Sequence, residues 1–232
     1  MTEPTFPPMM SGLAVNGPTD AFATACNKAV IGCDAGLVVY NAAADRLSAA
    51  LVLTPDVPLR KAVAMMPLCA VGLQNALGAL APPEVAVHLE WTGALRINGA
   101  RCGNVKIASS DTEADKEPNW IVVGFSIPLL MVGEGGDSPE ETALYEEGCA
   151  DILPEQLLES WSRHTLNWIA RWEDEGNAPL HAEWRGLAHG VGEPIEIEGL
   201  SGTYLGIDED FGMLLRDNET THAIPLTRLL ET

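Results

Sequence analysis

The side chains best suited to bind a ligand are concentrated between Trp91 and Lys106, in a stretch with the pattern of a β-hairpin. Apolar residues alternate on both sides of Asn98-Gly99, a dipeptide that favours the positive φ angles of a two-residue hairpin turn. The polar and glycine residues between them are expected at strand ends and turns, where ligands commonly bind. These residues are Thr92, Gly93, Asn98, Arg101, Gly103 and Asn104. An arginine there suits an anion, because a guanidinium can hold a carboxylate through two hydrogen bonds.

The charge of the chain is unevenly distributed, which places an anionic ligand in the first half. The net charge of −20 over 232 residues argues against a nucleic-acid partner and against an anionic membrane surface. Residues 1–120 hold 11 acidic and 8 basic side chains, a balance of −3. Residues 121–232 hold 22 acidic and 5 basic side chains, a balance of −17, and this acidic half is expected to be a solvated face.

The five cysteines predict reduced thiols rather than disulfides or a metal site. They are scattered, odd in number and form no Cys-x-x-Cys pair, as is usual in the cytoplasm. No basic residue precedes Lys28, which argues against a secretory signal. The longest apolar run, around residues 62–71, is interrupted by Pro67 and is shorter than the ~18–20 residues that span a bilayer. We therefore expect a cytoplasmic protein without a metal site.

Hydrophobic periodicity predicts the helices and strands of the chain up to residue 187. Thr19-Asp20 is expected to cap the first helix, and Pro82-Pro83 to end a long apolar helix buried on a sheet. A glycine-rich segment at 133–138 is interpreted as a linker. The predicted helices are 19–31, 58–80, 154–175 and 179–187, and the predicted strands are 37–40, 51–54, 85–91, the two hairpin arms and 120–128.

The pattern changes near residue 190, where short alternating β runs are separated by glycine and acidic turns. Four or five strands of this kind predict a small SH3-like barrel. A barrel of about 40 residues is too small to be stable alone, so it should dock on the preceding domain. The predicted domains are 1–188 and 189–232.

Two runs in the hairpin region resemble the signature of biotin/lipoate protein ligases. In that family a Lys-Trp-Pro-Asn-Asp run leads through a hairpin to Gly-Arg-Lys-x-x-Gly-Ile-Leu; here the runs are Glu90–Ala94 and Gly99–Lys106. The run from Gly192 to Leu215 resembles the barrel of bacterial biotin ligases, and the order of elements is similar. The resemblance implies an α+β fold, with a mixed sheet, packed helices and a small C-terminal SH3-like β-barrel.

The resemblance also implies a reaction. A small acid such as biotin or lipoate would attack the α-phosphate of ATP, giving an acyl-adenylate and pyrophosphate. A carrier-protein lysine would then take the acyl group, with Mg²⁺ neutralising the phosphates. ATP, Mg²⁺ and a biotin- or lipoate-like acid are therefore the implied ligands. Some members of the family pair through sheet edges, so a homodimer is one arrangement that the resemblance allows.

The resemblance gives Arg101 the place of the hairpin lysine, which makes it the predicted catalytic residue. A structural ion pair is the alternative role for this arginine. Lys106 alternates with Val105 and Ile107, and the sequence leaves open which way its side chain faces. The predicted ligand-binding residues are Arg46, Trp91, Gly93, Gly103, Asn104 and Lys106.

Several departures from the signature predict impaired adenylation. Glu90 stands in place of the first lysine, and Gly93 and Ala94 stand in place of the Asn and Asp that could organise a metal. The arginine- and glycine-rich loop of the family is reduced here to residues 41–46. Two hypotheses remain: a ligase-like enzyme with a remodelled site, and a binding module that kept the pocket but lost adenylation.

Overall fold

The computed structural model describes residues 3–131, 140–197, 199–218 and 220–231; the predicted linker at 133–138 lies outside them. Two short 3₁₀ helices cover Leu144–Glu147 and Leu226–Leu229. The helices are α1 (Ala21–Val30), α2 (Leu59–Ala62), α3 (Met65–Leu80), α4 (Pro154–Glu175) and α5 (Asn177–Leu187). The strands are β1 (Ser11–Ala14), β2 (Leu37–Ala42), β3 (Arg46–Leu53), β4 (Val87–Leu89), β5 (Ala94–Ile97), β6 (Ala100–Ser109), β7 (Ile121–Pro128), β8 (Pro194–Ile197), β9 (Leu200–Ile207), β10 (Met213–Arg216), β11 (Thr221–Ile224) and β12 (Leu230–Glu231).

A mixed eight-stranded sheet forms the centre of the molecule, with the order β1-β2-β3-β7-β6-β5-β4 and β12 paired beside β6. The β1–β2 and β6–β12 pairs are parallel, and the other described pairs of this sheet are antiparallel. The hairpin turn between β5 and β6 has φ of 50° at Asn98 and 94° at Gly99, as the dipeptide predicts. The predicted mixed sheet is therefore confirmed.

Helix α1 covers one face of this sheet and forms the smaller of two apolar cores. Asp20 caps the helix, because its Oδ1 accepts hydrogen bonds from the backbone N–H groups of Phe22 and Ala23 at 2.8 and 3.2 Å. The core includes Ala25 from α1 and Ala50 and Val122 from the sheet, all fully buried. The small side chains let α1 lie close to the strands, and its N-terminus reaches the end of the sheet where the candidate site lies.

The other face is covered by α2, α3, α4 and α5 around the larger core. The sequence predicts one helix over 58–80, but the structure divides it into α2 and α3, because Pro67 has no N–H to donate to the carbonyl of Val63. The segment Leu59–Leu80 is long and apolar enough to span a membrane, contrary to the expectation above. Since 72% of the most apolar stretch of this segment is buried inside the fold, the segment belongs to the core of this domain.

The second sheet, β11-β10-β9-β8, is antiparallel and fits the predicted SH3-like domain. Its apolar side chains, including Phe211 and Met213, belong to the same large core as α3. The indole N–H of Trp91 donates to the carbonyl of Phe211 at 2.7 Å. The chain then returns to the main sheet through β12, so the barrel is docked on the first domain at two separate places.

Candidate functional site

Two adjoining clefts lie where the strands β3, β6 and β7 approach the N-terminus of α1. The first, the α1 cleft, has a volume of about 470 Å³ and lies between α1 and the sheet. The second, the hairpin cleft, has a volume of about 580 Å³ and lies beside the β5–β6 hairpin. Asp45, Arg46 and Asn104 line both clefts, so the two are continuous.

The floor of the α1 cleft is a row of polar side chains across three strands. Ser48 of β3 pairs with Ser126 of β7, and Ser126 pairs with Asn104 of β6. The two serine hydroxyls are 3.0 Å apart and hydrogen-bonded. Ser126 is the polar residue of the otherwise apolar strand β7, and with Ser48 and Asn104 it presents hydrogen-bonding groups to a ligand in the cleft.

Arg46 is held over this floor by a neutral partner. Its Nη1 donates to Ser126 Oγ at 3.0 Å, and the side chain is exposed. Within the described residues, Arg46 makes no ion pair with a carboxylate. The positive charge of its guanidinium is therefore available to an anion in the cleft.

Lys106 faces the same cleft, which settles the direction that the sequence leaves open. Its Nζ lies 4.4 Å from the centroid of the Phe22 ring of α1, a cation–π contact. Like Arg46, it has no carboxylate partner in the part of the chain that the structure describes. The ring orients the ammonium without neutralising it.

Arg101 differs, because its guanidinium forms a two-point ion pair with Glu90. The Nε–Oε1 and Nη2–Oε2 distances are 3.1 and 3.0 Å. Glu90 also accepts from Arg96 Nε at 2.5 Å, and its side chain is only 14% exposed. Burial would raise the pKa of this carboxyl, but the hydrogen bonds from Arg101 and Arg96 outweigh burial and hold the pKa below its ordinary value. The ion-pair alternative for Arg101 is thus the arrangement that the structure has.

The hairpin cleft does not fit a triphosphate. Besides Arg46 and Arg101 it is lined by three carboxylates, those of Asp45, Glu90 and Glu141. No group of three or more His, Cys, Asp or Glu side chains that could hold a metal occurs among the described residues. The β2–β3 connection is a tight turn of three residues, 43–45, so it offers no loop that could close over a nucleotide. Arg101, the arginine that would meet a phosphate, is already paired with Glu90.

The remaining predicted residues lie at different depths. Gly103 and Asn104 line the hairpin cleft. Trp91 and Gly93 do not line either cleft: Trp91 is 3% exposed in the core, and a Cβ at Gly93 would overlap the Val105 carbonyl. Both are used in packing the hairpin, and their assignment as ligand contacts stays a prediction. Arg46 and Asn104 line both clefts, Lys106 lines the α1 cleft, and Arg101, paired with Glu90, lines the hairpin cleft.

Sequence reasoning missed Ser48, Ser126 and Phe22 as parts of the site. The two serines could have been found, because each is a lone polar residue inside a run that predicts a buried strand. Phe22 carries no such signal, since an aromatic residue on an apolar helix face is normally part of the core.

The Cys102 thiol, next to Arg101 in the sequence, is buried. Burial raises the pKa of Cys102 to about 12, so this residue is no nucleophile near neutral pH.

Comparison with solved structures places this fold among known proteins. A biotin protein ligase-like protein of unknown function from Silicibacter sp. TM1040 is 61% identical, with a TM-score of 0.94 over 99% of this chain and 100% of that chain. The biotin protein ligase from Aquifex aeolicus in complex with biotin and ATP is 14% identical, with a TM-score of 0.72 over 92% of this chain and 95% of that chain. At that identity the second likeness shows the fold alone.

Sequence comparisons agree with the fold. The bifunctional ligase/repressor BirA of Bacillus subtilis (strain 168) is 25% identical over 182 residues, which cover 73% of this chain. The chain spans about half the length of the curated relatives it matches, 53% in this case. Residues 191–232 match a domain of unknown function, DUF4444. Residues 6–186 match the model of the biotin/lipoate A/B protein ligase family, and the chain therefore belongs to that family.

Proposed function

We propose that this protein binds a small carboxylic acid in the α1 cleft and that it activates the acid with ATP poorly or not at all. The observation that carries the proposal is the contrast between the cations of the site. Arg46 and Lys106 have neutral partners, whereas Arg101 is paired with Glu90 through two hydrogen bonds. Arg46 and Lys106 can thus bind an anion, whereas the predicted catalytic residue, Arg101, is already paired with a carboxylate.

Binding is supported by the size of the α1 cleft and by Arg46 and Lys106, which line it together with Asp45 and with Asp20, the cap of α1. Its volume of about 470 Å³ lies within the range of ~300–1,000 Å³ that is usual for small-molecule sites. A carboxylate between two cations gains charge-assisted hydrogen bonds, which are stronger than neutral ones. The cleft also lies in the less acidic half of the chain, where the sequence predicts an anionic ligand.

Impaired adenylation is supported by what surrounds Arg101. Joining an acid to ATP brings two anions together, and this needs cations that are free to meet the developing charge. Losing one such contact typically costs 10²–10³ in rate. Here Arg101 is engaged, the carboxylates of the hairpin cleft repel phosphates, and Gly93 and Ala94 offer no side chain to a metal. Transfer to a carrier-protein lysine would be lost with the adenylate.

The alternative is an active ligase that binds ATP and Mg²⁺ through substitute side chains and transfers a biotin- or lipoate-type acyl group to a protein lysine. Its support is family membership and the likeness to a ligase solved with biotin and ATP. In either case we place the protein in the cytoplasm, since all five cysteines are free thiols. A homodimer through a sheet edge stays a prediction that size-exclusion chromatography with light scattering would check.

The two candidates are separated by measuring binding and turnover on the full chain. Calorimetric titration with a panel of carboxylic acids should show binding that Arg46→Gln or Lys106→Met weakens and Arg101→Ala leaves within about threefold. Pyrophosphate release with ATP, Mg²⁺ and the same acids should stay below about a hundredth of the rate of an active biotin protein ligase assayed in parallel. Rapid turnover that Arg101→Ala abolishes would instead establish the active ligase.

A further inference from the structure

The two free cations of the α1 cleft lie over neighbouring positions of one strand. The Arg46 guanidinium is bonded to Ser126 of β7. The Phe22 ring lies directly over Gly124 of the same strand, since a Cβ there would be 2.7 Å from Phe22 Cδ2, and Lys106 Nζ lies over that ring. Positions 124 and 126 share a face of the sheet and are ~7 Å apart at ~3.4 Å per residue. Both positive groups therefore lie on the α1 side of β7, beside residues two positions apart in that strand.

Two cations that line the same cleft suit a carboxylate. A carboxylate has two oxygens, so each can accept a charge-assisted hydrogen bond from a different cation. The neutral partners of the cations, a hydroxyl and an aromatic ring, orient them without neutralising their charge. The α1 cleft therefore offers an acid group a place between Arg46 and Lys106.

The floor beside this place is polar, which bears on the rest of the ligand. Ser48, Ser126 and Asn104 form a hydrogen-bonding row under the position between the cations. A hydrocarbon chain laid on this row would cover the half-buried serine hydroxyls and the exposed Asn104 amide without offering them a hydrogen bond. Sites built to hydrogen-bond a substrate discriminate strongly against analogues that lack the polar group. Hydroxyl or keto groups on the acid would instead satisfy the row.

We infer that the α1 cleft selects a small hydrophilic acid, of the hydroxy- or keto-acid class, over apolar acids such as biotin, lipoate or octanoate. The carboxylate lies between Arg46 and Lys106, and the polar substituents of the ligand bond to Ser48 and Asn104. This inference rests on the proposed function, because it names the class of acid that the proposed binding site takes. Lys106 then contributes affinity for the carboxylate, and Ser48 and Asn104 set the preference for polar substituents.

The test is calorimetric titration of the full chain with acids matched in length. Gluconate is compared with hexanoate, and 3-hydroxybutyrate with butyrate, with octanoate and biotin alongside. The hydroxylated acid of each pair should bind at least tenfold more tightly than its alkyl partner. If an alkyl acid, octanoate or biotin binds as tightly as the hydroxylated acids, this inference is overturned while the proposed acid binding stands. If no acid binds, both fail.

Variants then test which residues make the selection. Lys106→Met should weaken gluconate binding by about 10–100-fold. Ser48→Ala should reduce the preference for gluconate over hexanoate by about tenfold while leaving hexanoate binding unchanged. The matched control is Lys61→Met, an exposed lysine on α2 outside the cleft, which should leave both affinities unchanged. An equal effect of Lys106→Met and Lys61→Met would contradict the role of Lys106, provided that thermal melting shows all variants folded.

Discussion

Glu90 stands where the biotin/lipoate ligase signature has a lysine, and its carboxylate bonds with both arginines of the hairpin. The side chains of Glu90 and Arg96 are only 14% and 15% exposed, so their ion pair is shielded from solvent. Arg96 in turn donates to the carbonyl of Gly99 at the hairpin turn. Replacing a lysine by Glu90 therefore reverses a charge and also ties the hairpin together, which makes the departure from the signature structural as well as chemical.

We expect Glu90→Gln to lower the free energy of unfolding by about 1.5–3 kcal/mol at pH 7, because three charge-assisted hydrogen bonds from Arg96 and Arg101 lose their anion. The pKa of Glu90 in the folded protein lies below its ordinary value of 4.5. Its stabilising effect is hence full above the unfolded-state pKa and is lost as the pH falls through the folded-state pKa. Urea unfolding at about pH 7 and about pH 3 should show a difference between variant and wild type that is smaller at the lower pH.

Glu113→Gln is the matched control for that measurement. Glu113 also pairs with a cation, Lys116, but both side chains are more than half exposed, at 67% and 53%. Exposed pairs contribute only about 0–1 kcal/mol, so the control should change little at either pH. A Glu90→Gln protein as stable as wild type at neutral pH would show that the Arg101 pair contributes nothing to the fold.

At the scale of elements, strand β6 carries a bulge that brings the cations of the site to one side of the sheet. From Ala94 to Arg96 of β5 there are two steps, while their partners Asn104 and Arg101 on β6 are three steps apart. As a result Cys102 and Val105, an odd number apart, both belong to the large core. Strict alternation would place Arg101 and Lys106 on opposite faces, and the bulge removes that difference.

Gly103 is the residue that permits this bulge, and we expect Gly103→Ala to be far more destabilising than Gly99→Ala. Both glycines have positive φ, 96° and 94°. A Cβ at Gly103 would overlap the Ser126 carbonyl oxygen, whereas one at Gly99 would meet nothing within 4 Å. Gly99→Ala should cost about 1 kcal/mol and Gly103→Ala about 3 kcal/mol or more in urea unfolding. Equal costs would mean that the close approach of β6 and β7 is unimportant.

The elements themselves were largely predictable because their signals are local. The Asp20 cap, the Asn98-Gly99 turn and the apolar run of β7 each depend on a few adjacent residues, and the structure has all three. The cleft was less predictable, because Ser48, Ser126 and Asn104 meet only through the register of strands that are far apart in sequence. Because of the bulge at Gly103, the alternation of side chains along β6 does not predict on which face of the sheet Arg101 and Lys106 lie. Family resemblance located the hairpin but not the pairing of its charges.

At the scale of the whole molecule, the barrel and the first domain share one apolar core. Tyr204, Phe211 and Met213 of the C-terminal part are buried in the same cluster as Trp91 and Trp184. A barrel of this size could not bury enough apolar surface by itself, which is why the sequence predicts that it docks. The hydrogen bond from the Trp91 indole to the barrel could not be predicted from spacing, since its partner lies 120 residues away.

We expect Trp91→Phe to loosen the barrel more than the main sheet. The change removes the N–H that donates to the Phe211 carbonyl and leaves a buried acceptor unpaired next to a small cavity, at a cost of about 2–4 kcal/mol. Hydrogen exchange should therefore speed up in β9 and β10 while β3 and β7 stay protected. Trp120→Phe is the control, because Trp120 packs against the smaller core on the other face of the sheet. Unchanged exchange in β9 and β10 of Trp91→Phe would show that the barrel is held without this hydrogen bond.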